Sequence, residues 1–544
     1  MIRVERLSYG FPQKELYKDV SFTLEEGQHC AFIGSNGTGK TTLVDMLIHS
    51  DEYLYDGKIW MDPMCRIGYV SQFRGQEKNK EITVFEFLSE IFVKNQEETA
   101  LVCAEMAVSE ELDIVYERYQ ELLDEFQAMD GDNYESNIRK QLKMVGMQKR
   151  ENTLLTQLSG GEYKLLQVMK EMLLQPNLLI MDEPDAFLDF ENLNGLCKLI
   201  NTHKGTLLVI THNRYLLNHC FDKILHLENT DIQEFDGSYM EYNFAMLRAK
   251  IEMQELAERD KEEIARNEEI VNRMRVTATN VNVASLGRTL HARESHLQRL
   301  KARQIKEPFL AIKHPEIVLP KVETDPEKVV LSVWGYEVAF DELLLSDVCF
   351  ELHANEKVAI VGANGTGKTT LLHDIFKNHH PAIQIGNDVK VEFLSQVYES
   401  KTLSGGEENL LQIERICNSD ATLLLLDEPT SHLDTYSQIA LEQAIAEYQG
   451  AVLMVSHDFY NIVNCADYIL YVDEKSVRRM RVRSFRKMVY EQHFDKEYLE
   501  IEKKKQELEI RIETALKHAD VTHAKQLCEQ LGEEVEKLCK TYRN

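Results

Sequence analysis

An internal repeat constrains this chain more than any other feature of its sequence. The same ordered set of short motifs occurs twice in 544 residues, beginning near residues 2 and 330. In each copy an apolar strand-like run leads into a loop of the pattern G-x-x-x-x-G-K-T and then into a helix-like run. A chain of this length exceeds what one hydrophobic core usually covers. The repeat therefore predicts two α/β domains of one fold, joined in tandem.

The two glycine-rich loops have the composition of phosphate-binding sites. Glycines let backbone N–H groups close on phosphate oxygens, the lysine neutralises the outer phosphates, and the threonine that follows it can ligate Mg²⁺. The loop of the first half consists of Gly34, Ser35, Asn36, Gly37, Thr38, Gly39, Lys40, Thr41 and Thr42. The loop of the second half consists of Gly362, Ala363, Asn364, Gly365, Thr366, Gly367, Lys368, Thr369 and Thr370.

Each loop is followed by two further motifs. An apolar strand ends in an Asp-Glu pair, whose Asp is predicted to hold Mg²⁺ together with Thr41 or Thr369 and whose Glu is predicted to polarise the attacking water. Between loop and acids lies an LSGGE run that could donate hydrogen bonds to a phosphate at a helix start. The acidic pairs are Asp182 with Glu183 and Asp427 with Glu428. The donor sets are Ser159, Gly160 and Gly161 in the first half and Ser404, Gly405 and Gly406 in the second.

These motifs, in this order, resemble those of the ATP-binding cassette superfamily, and the resemblance covers both halves. It implies ATP hydrolysis at two sites in a head-to-tail sandwich, in which the LSGG run of one half completes the loop of the other. It also implies that Gln72 and Gln396 sense magnesium and water, while His212 and His457 contact the γ-phosphate.

The same resemblance predicts an aromatic residue that stacks on adenine before the first core strand. The candidates are Phe11, or Tyr9, in the first half and Phe340 in the second. A core aromatic residue without a ligand is the alternative at each position. The adenine contact is therefore the least specific part of the predicted ATP site.

Three departures from the family pattern put equal function of the two sites in doubt. The first half has EPDAFLD at 183–189, where the second keeps EPTSHLD at 428–434, and Asn213 follows the switch histidine where Asp is usual. Only residues 397–402 separate Gln396 from the second LSGG run. We therefore expect either that the helical subdomain of the second half is lost or reduced, or that the loop geometry around Ser404 is altered.

The segment between the halves is predicted to form a helical hairpin. Almost no Pro or Gly occurs before Gly287, and an apolar stripe that includes Leu256 fits helical spacing over about 35 residues. A second helix is predicted at 288–306, after a tip near 276–287. Eight basic residues stand against one acid between 271 and 306, which indicates polyphosphate binding, although a solvated helical face is the alternative. The candidate RNA-binding residues are Arg273, Arg275, Arg288, Arg293, Arg299, Lys301 and Arg303.

Two cassettes with a charged linker that opens with EFDGSYMEY at 234–242 resemble the ABC-F family of ribosome-associated ATPases. The resemblance implies binding at the ribosomal tRNA exit site, with the linker reaching toward tRNA and the peptidyl transferase region. An insertion at about 76–150 is similar to the family's arm. Residues 94–130 hold eleven acids against two bases, so this insertion is expected to contact a basic ribosomal protein or to be a plain solvated helix.

The segment after the second half carries two further signals. Residues 478–487 contain six basic residues in ten and are a second candidate RNA contact. Two heptad-like stripes, from Ile501 to Leu516 and from Leu527 to Leu538, predict an antiparallel helical coiled coil. This pair could dock on the second cassette or bind a partner.

Composition excludes several classes of protein. No apolar run of about 18 residues is present to span a membrane. The ten cysteines, Cys349 among them, lack metal-ligand spacing and are predicted to be reduced core residues of a cytoplasmic protein. The net charge of −29 would repel nucleic acid, but the basic linker is a local exception. We expect a monomer whose sandwich forms within one chain.

The predicted fold class is α/β, with two P-loop cassettes in tandem, a helical hairpin linker and a helical coiled coil. The predicted function is an ATP-hydrolysing ribosome-binding factor, either a translation factor or an antibiotic-resistance ribosome protector. The ATPase subunit of a membrane transporter, with a separate membrane partner, is the alternative, and the basic linker opposes it. The predicted domains are 1–240 and 328–485 for the cassettes, 241–310 for the linker and 490–544 for the coiled coil.

Overall fold

The computed structural model shows two compact units. One comprises Met1–Tyr239 with His314–Val489, and the other comprises Met240–Lys313 with Tyr490–Asn544. No helix among the described residues is long and apolar enough to cross a membrane. The structure describes residues 1–71, 80–106, 112–186, 188–280, 291–299, 317–322, 325–339, 343–396, 405–473, 475–490, 496–518 and 520–543.

The two halves of the repeat contain matching successions of strands and helices. The first half contains β1 (Ile2–Phe11), β2 (Lys14–Leu24), β3 (His29–Ile33), α1 (Lys40–Ile48), β4 (Asp56–Met61), β5 (Ile67–Val70), α2 (Val84–Met106), α3 (Leu112–Ala128), α4 (Tyr134–Met144), α5 (Gly160–Leu173), β6 (Leu178–Asp182), α6 (Phe190–Thr202), β7 (Thr206–Ile210), α7 (Arg214–His219), β8 (Lys223–Glu228) and β9 (Asp231–Asp236). The linker contains α8 (Tyr239–Asn280) and α9 (291–299). The second half contains β10 (Val329–Ala339), β11 (Leu343–His353), β12 (Lys357–Val361), α10 (Lys368–Lys377), β13 (Ile383–Ile385), β14 (Val391–Leu394), α11 (Gly405–Cys417), β15 (Leu423–Asp427), α12 (Thr435–Glu447), β16 (Ala451–Val455), α13 (Phe459–Cys465), β17 (Tyr468–Asp473), β18 (Ser476–Arg481) and α14 (Val482–Tyr490). Two helices follow, α15 (Lys496–Lys517) and α16 (Val521–Arg543).

A six-stranded sheet forms the core of each half. The strand orders are β5-β6-β7-β3-β8-β9 and β14-β15-β16-β12-β17-β18, with five parallel strands and an antiparallel last strand in each. Strands β6 and β7 are buried along their whole length and are apolar except at Asp182 and Thr206, as expected when both faces of a parallel sheet are covered. The carboxyl ends of the parallel strands lie at one edge of the sheet, which gathers the motifs that follow them.

The two halves differ in the helices between the sheet and the LSGG run. In the first half α2, α3 and α4 lie between β5 and α5, and the predicted periodicity of α3 is confirmed by Val115 and Leu122, which are buried against Val102 of α2. In the second half α11 is the next helix after β14 among the described residues. Residues 397–404, between β14 and α11, lie outside the described residues. A three-stranded antiparallel sheet completes each half, in the orders β2-β1-β4 and β11-β10-β13.

The helical unit joins the linker to the last two helices of the chain. Helix α8 is 42 residues long, longer than predicted, and α9 lies within the predicted second helix, while the predicted tip falls outside the described residues. Helices α15 and α16 form the predicted pair, buried from Leu508 on α15 to Leu538 on α16, and Ile251 of α8 joins their core. A coiled coil is not confirmed. Leu256, one of the apolar positions that predicted the helix, lies in α8 and is 45% exposed.

The cysteines of the described residues are all free, and they occupy different environments. Cys30 lies in β3 and is buried, as predicted from its apolar surroundings. The prediction that Cys349 is a core residue was wrong, because its side chain lies on the exposed face of β11. Alternation along an antiparallel strand with one solvated face explains this difference, since adjacent residues point to opposite faces.

Candidate active site

The first glycine-rich loop connects β3 to α1 and has the backbone shape of a phosphate-binding turn. Gly39 precedes α1 with φ +105°, a conformation that residues with a Cβ rarely adopt. A Cβ there would lie 2.8 Å from the hydroxyl of Tyr17, which donates to the Gly39 carbonyl. Lys40 Nζ donates to the carbonyl oxygens of Gly34 at 2.9 Å and Ser35 at 3.0 Å. The ammonium group is thus held at the start of a helix, where anions bind.

The second loop repeats this geometry between β12 and α10. Lys368 Nζ donates to the carbonyl oxygens of Gly362 at 2.9 Å and Ala363 at 2.6 Å, and Gly367 has φ +90°. Burial lowers the pKa of both Lys40 and Lys368, and acidic side chains around each of them oppose that shift. Both loops therefore present a lysine in the same place, surrounded by the acids that follow the neighbouring strands.

The two aspartates of the Asp-Glu pairs are buried at the ends of β6 and β15. Burial raises the pKa of Asp182 to about 6 and also raises the pKa of Asp427. Thr369 Oγ1 donates to Asp427 Oδ1 at 3.3 Å, and Thr41 hydrogen-bonds Asp182. Atom Oδ2 of each aspartate is buried without a hydrogen-bond partner within the described residues. A threonine hydroxyl beside such a carboxylate supplies the hard oxygen ligands that Mg²⁺ prefers.

The two glutamates that follow these aspartates have different surroundings. Glu428 Oε2 accepts a hydrogen bond from the backbone N–H of His457 at 3.1 Å, and burial together with Asp427 raises the pKa of Glu428 to about 8. Glu183 Oε2 lies 3.9 Å from Nδ1 of His432, a residue of the other half. Burial alone would raise the pKa of Glu183, but a hydrogen bond with His432 and nearby positive charges lower it to about 2. The repeat is therefore asymmetric at the residue predicted to polarise water.

The two switch histidines are buried and neutral. Burial lowers the pKa of His212 to about 4 and that of His457 to about 3. His457 Nε2 lies 3.5 Å from Glu428 Oε1, so it contacts the predicted water-polarising group directly. Gln396 follows β14 and borders a cavity that Glu428 and His457 also line. Gln72 lies outside the described residues.

One cavity, of about 720 Å³, brings motifs of both halves together. Its wall combines the second glycine-rich loop with the LSGG run of the first half, as the predicted head-to-tail arrangement requires. It also reaches Glu183 and His212 of the first half. The predicted site residues that it joins are Ser159, Gly160, Gly161, Asn364, Gly365, Gly367, Lys368, Thr369, Thr370, Gln396, Asp427, Glu428 and His457.

The first loop meets the second half in the same way. Asn36 Nδ2 donates to the carbonyl oxygen of His432 at 2.6 Å. A Cβ on Gly406 would lie 2.3 Å from that same Nδ2 atom, so the second LSGG run approaches the first loop closely. Gly405 begins α11, while Ser404 lies outside the described residues.

Two aspartates that the sequence analysis missed hold these loops across the halves. Asp189 caps α6 through Oδ1 and accepts from the backbone N–H of Asn364 through Oδ2 at 3.2 Å. Asp434 caps α12 in the same way and accepts from the backbone N–H of Asn36 at 3.4 Å. The available signal was that EPDAFLD and EPTSHLD, which differ at three inner positions, end in the same Asp.

The departures noted in the first half have local explanations. Asp185 Oδ1 accepts a hydrogen bond from the hydroxyl of Thr211 at 2.7 Å, and burial raises the pKa of Asp185 to about 6. Asn213 caps α7 by accepting from the backbone N–H groups of Tyr215 and Leu216, as Asp458 caps α13. Asparagine therefore keeps the capping function of the usual aspartate without its charge.

The aromatic candidates for adenine stacking lie on the β1–β2 hairpin. Phe11 is 54% exposed and packs edge-to-face on Tyr9 at 5.7 Å between ring centroids, so it is not a core residue. The hairpin contacts the first loop through Lys14, whose Nζ donates to the Gly37 carbonyl at 2.6 Å. Phe340, the candidate in the second half, lies outside the described residues.

The predicted RNA-binding residues belong to the helical unit. Arg273 pairs with Glu269 within α8, and Arg275 pairs with Glu294 of α9 at 2.6 Å. Both arginines remain more than half exposed. Arg293 and Arg299 on α9 are also exposed. The remaining candidates, Arg288, Lys301 and Arg303, lie outside the described residues.

Comparisons with known proteins agree with this geometry. The ABC transporter family model matches residues 17–186 and 345–392. Each half therefore contains a segment that matches an ATP-binding cassette. The match in the second half stops at 392, within β14.

Relatives extend over most of the chain. It is 27% identical over 524 residues to the Energy-dependent translational throttle protein EttA of Escherichia coli (strain K12), covering 86% of this chain and 91% of that protein. It is 27% identical over 534 residues to ABC transporter F family member 2 of Arabidopsis thaliana, covering 87% and 76%. A solved structure of the RNase-L Inhibitor shares the fold, with a TM-score of 0.52 at 17% identity over 90% of this chain and 92% of that chain. The relative from Arabidopsis thaliana, which is named as an F family member, supports the resemblance to ABC-F proteins.

Proposed function

We propose that this chain is an ATP-hydrolysing, ribosome-binding factor of the ABC-F type, whose two halves close on two ATP molecules. The observation that carries the proposal is that each phosphate loop is held by the opposite half. Asp434 accepts from the Asn36 N–H, and Asp189 accepts from the Asn364 N–H. Binding of nucleotide at either loop therefore acts on the contact between the halves.

The residues of each site have separate tasks in this proposal. Lys40 and Lys368 neutralise the outer phosphates, and the LSGG run of the opposite half donates to the γ-phosphate. The buried Oδ2 atoms of Asp182 and Asp427, each beside a threonine hydroxyl, suit an octahedral oxygen site. When bound there, Mg²⁺ supplies charge neutralisation to the phosphates.

Hydrolysis requires a group that takes a proton from the attacking water. Glu183 and Glu428 occupy this position next to the aspartates, and their ionised forms accept the proton as water bonds to the γ-phosphorus and ADP departs. His212 and His457, which are neutral donors at physiological pH, orient the γ-phosphate. Gln396 lines the same cavity and can position the water.

The ribosomal partner is supported by two independent observations. A relative with 27% identity is named a translational throttle, and the linker concentrates basic residues in a chain of net charge −29. We propose that the exposed arginines of α8 and α9 contact ribosomal RNA or tRNA at the exit site, and that the acidic helical insertion contacts a basic ribosomal protein. A single chain supplies both halves of the sandwich, so it would act as a monomer.

Co-sedimentation with ribosomes in ATP, ADP or no nucleotide tests this function. We expect retention to be greatest with ATP, and greater still for the variant Glu183→Gln with Glu428→Gln, because it holds ATP without turnover. Lys40→Ala with Lys368→Ala is the matched control, since it removes nucleotide binding and should lose the ATP-dependent fraction. Equal retention under all three conditions would contradict an ATP-gated ribosome factor.

A further inference from the structure

A buried ion pair crosses between the two halves away from the phosphate loops. Arg214 lies at the start of α7, and its Nη1 donates to Glu442 Oε2 of α12 at 3.2 Å, while its Nη2 contacts the other oxygen of Glu442. The same Nη2 donates to Asp458 Oδ2 at 3.4 Å, and the guanidinium lies 4.7 Å from the ring centroid of Tyr460. The side chains of Arg214 and Glu442 are only 9% and 5% exposed.

Burial makes this contact dependent on its full set of partners. Burial alone would lower the pKa of Arg214, but Glu442 and Asp458 outweigh that effect and keep the guanidinium charged. Asn464 Nδ2 donates to Glu442 Oε2 at 2.9 Å and satisfies that carboxylate further. Removing one member of such a group leaves a buried charge unpaired, which is costly in a low-dielectric interior.

The contact continues into the site of Glu428. Asp458 follows His457 directly and caps α13, because its Oδ1 accepts from the backbone N–H of Tyr460 at 2.9 Å. The N–H of His457 in turn donates to Glu428 Oε2 at 3.1 Å. Arg214 of the first half therefore binds Asp458, the residue next to the switch histidine His457 in the site of Glu428.

The repeat does not provide the reciprocal contact. Arg214 is the second residue after His212, and the second residue after His457 is Phe459. Glu442 is the eighth residue after Asp434, and the eighth residue after Asp189 is Cys197. Phe459 is buried and packs on the rings of Phe190 and Phe485, and its side chain cannot form an ion pair. The ionic link thus runs in one direction, from the first half to the second site.

We propose that Arg214 is a positioning residue that couples the two ATP sites, by holding the Asp458–His457 segment of the second half to the His212 segment of the first. Because Arg214 follows His212 by only two residues, a shift of His212 on nucleotide binding moves the anchor of Asp458. Occupation of the first site therefore promotes turnover at the second, whereas the reverse effect is weaker. The proposal rests on the proposed roles of Glu183 and Glu428.

The test measures each site separately. Glu183→Gln leaves turnover to the second site, and Glu428→Gln leaves it to the first. Adding Arg214→Gln should lower kcat at the second site by about fivefold to tenfold, within the usual range of coupling between sites, while the KM for ATP changes by less than about twofold. Turnover at the first site should change by less than about twofold. Arg214→Lys, which retains the charge, should recover part of the loss.

Two further variants guard against a loss of folding. Asp458→Asn keeps the cap on α13 and the side-chain volume but removes the pairing charge. It should therefore lower kcat at the second site as much as Arg214→Gln does. The double variant Arg214→Gln with Asp458→Asn should not lower kcat further than either single variant. Arg139→Gln, which breaks an exposed pair with Glu151 elsewhere in the first half, is the matched control and should have no effect. Thermal melting shows which variants are folded.

The outcomes separate this proposal from its alternatives. Three results would overturn the coupling role and leave only a structural ion pair: an equal decrease of kcat at both sites, a change in the KM for ATP without a change in kcat, or an unchanged kcat at the second site. If Arg214→Gln does not fold, Asp458→Asn decides by the same criterion. The double variant Glu183→Gln with Glu428→Gln is measured in parallel. Turnover retained by this variant would refute the glutamate roles themselves, an outcome distinct from failure of the Arg214 coupling.

Discussion

The two glutamates proposed to polarise water, Glu183 and Glu428, are expected to titrate in different pH ranges. Burial and the charge of Asp427 raise the pKa of Glu428 to about 8, although Lys368 and the His457 N–H oppose them, whereas His432 contributes to lowering the pKa of Glu183 to about 2. A base must be ionised to accept a proton, so turnover follows the ionised fraction. For a pKa of about 8 this fraction rises from about 3% at pH 6.5 to about 76% at pH 8.5, an increase of about 25-fold.

The assay is ATPase activity of the two single variants across this pH range. Glu183→Gln, which leaves Glu428, should gain about 25-fold in kcat between pH 6.5 and 8.5, whereas Glu428→Gln, which leaves Glu183, should change by less than about twofold. His432→Phe in the Glu428→Gln background introduces the residue found at the matching position 187. Because it removes an interaction that lowers the Glu183 pKa, this variant should acquire a pH dependence. Flat profiles for both single variants would refute the reasoning.

Further predictions concern hydrolysis, the sandwich, the helical unit and the linker. Glu183→Gln with Glu428→Gln should bind ATP yet lose most hydrolysis, as measured by nucleotide retention and phosphate release; parental turnover would contradict the assigned roles. Gly406→Ala should weaken closure at the first site, because its Cβ would lie 2.3 Å from Asn36 Nδ2, and ATP-dependent compaction in small-angle scattering would reveal this. Leu531→Ala should destabilise the helical unit by about 2–5 kcal/mol in a denaturant titration that resolves its unfolding, since a fully buried side chain is removed. Neutralising linker arginines should reduce the salt slope of ribosome binding by roughly 3 without affecting ribosome-free hydrolysis, and an unchanged slope would leave only a solvated face. The linker arginines to be changed to Gln are Arg288, Arg293, Arg299 and Arg303.

Motifs that follow parallel strands were the most predictable part of the protein. Glycine-rich loops, acidic pairs and switch histidines each end a strand of the same sheet, so the topology brings them to one edge without further information. The head-to-tail arrangement came from the family resemblance rather than from any residue pattern. The structure agrees with that arrangement, since Asn36 contacts His432 and Asn364 contacts Asp189.

Contacts between charged residues that are distant in sequence were not predictable. Arg214 and Glu442 are ordinary charged residues in sequence, and only the packing of one half on the other buries them together. On α8 the apolar spacing included Leu256, which is exposed, whereas Ile251 is buried in the core of α15 and α16. A long helix that packs over only part of its length keeps helical periodicity where nothing covers it, so periodicity alone could not locate the contact.

The helical unit has a consequence for how the chain is made. Its core joins Ile251 to Leu508 and Leu531, and the entire second half of the repeat is synthesised between them. Ile251 of α8 therefore stays exposed to solvent until the second half has been translated. Contacts between segments so distant in sequence form slowly. A nascent or prematurely terminated chain would contain the basic linker without α15 and α16, the helices that pack against it. A factor proposed to work on ribosomes would thus complete the unit that carries its candidate RNA-binding residues only late in its own synthesis.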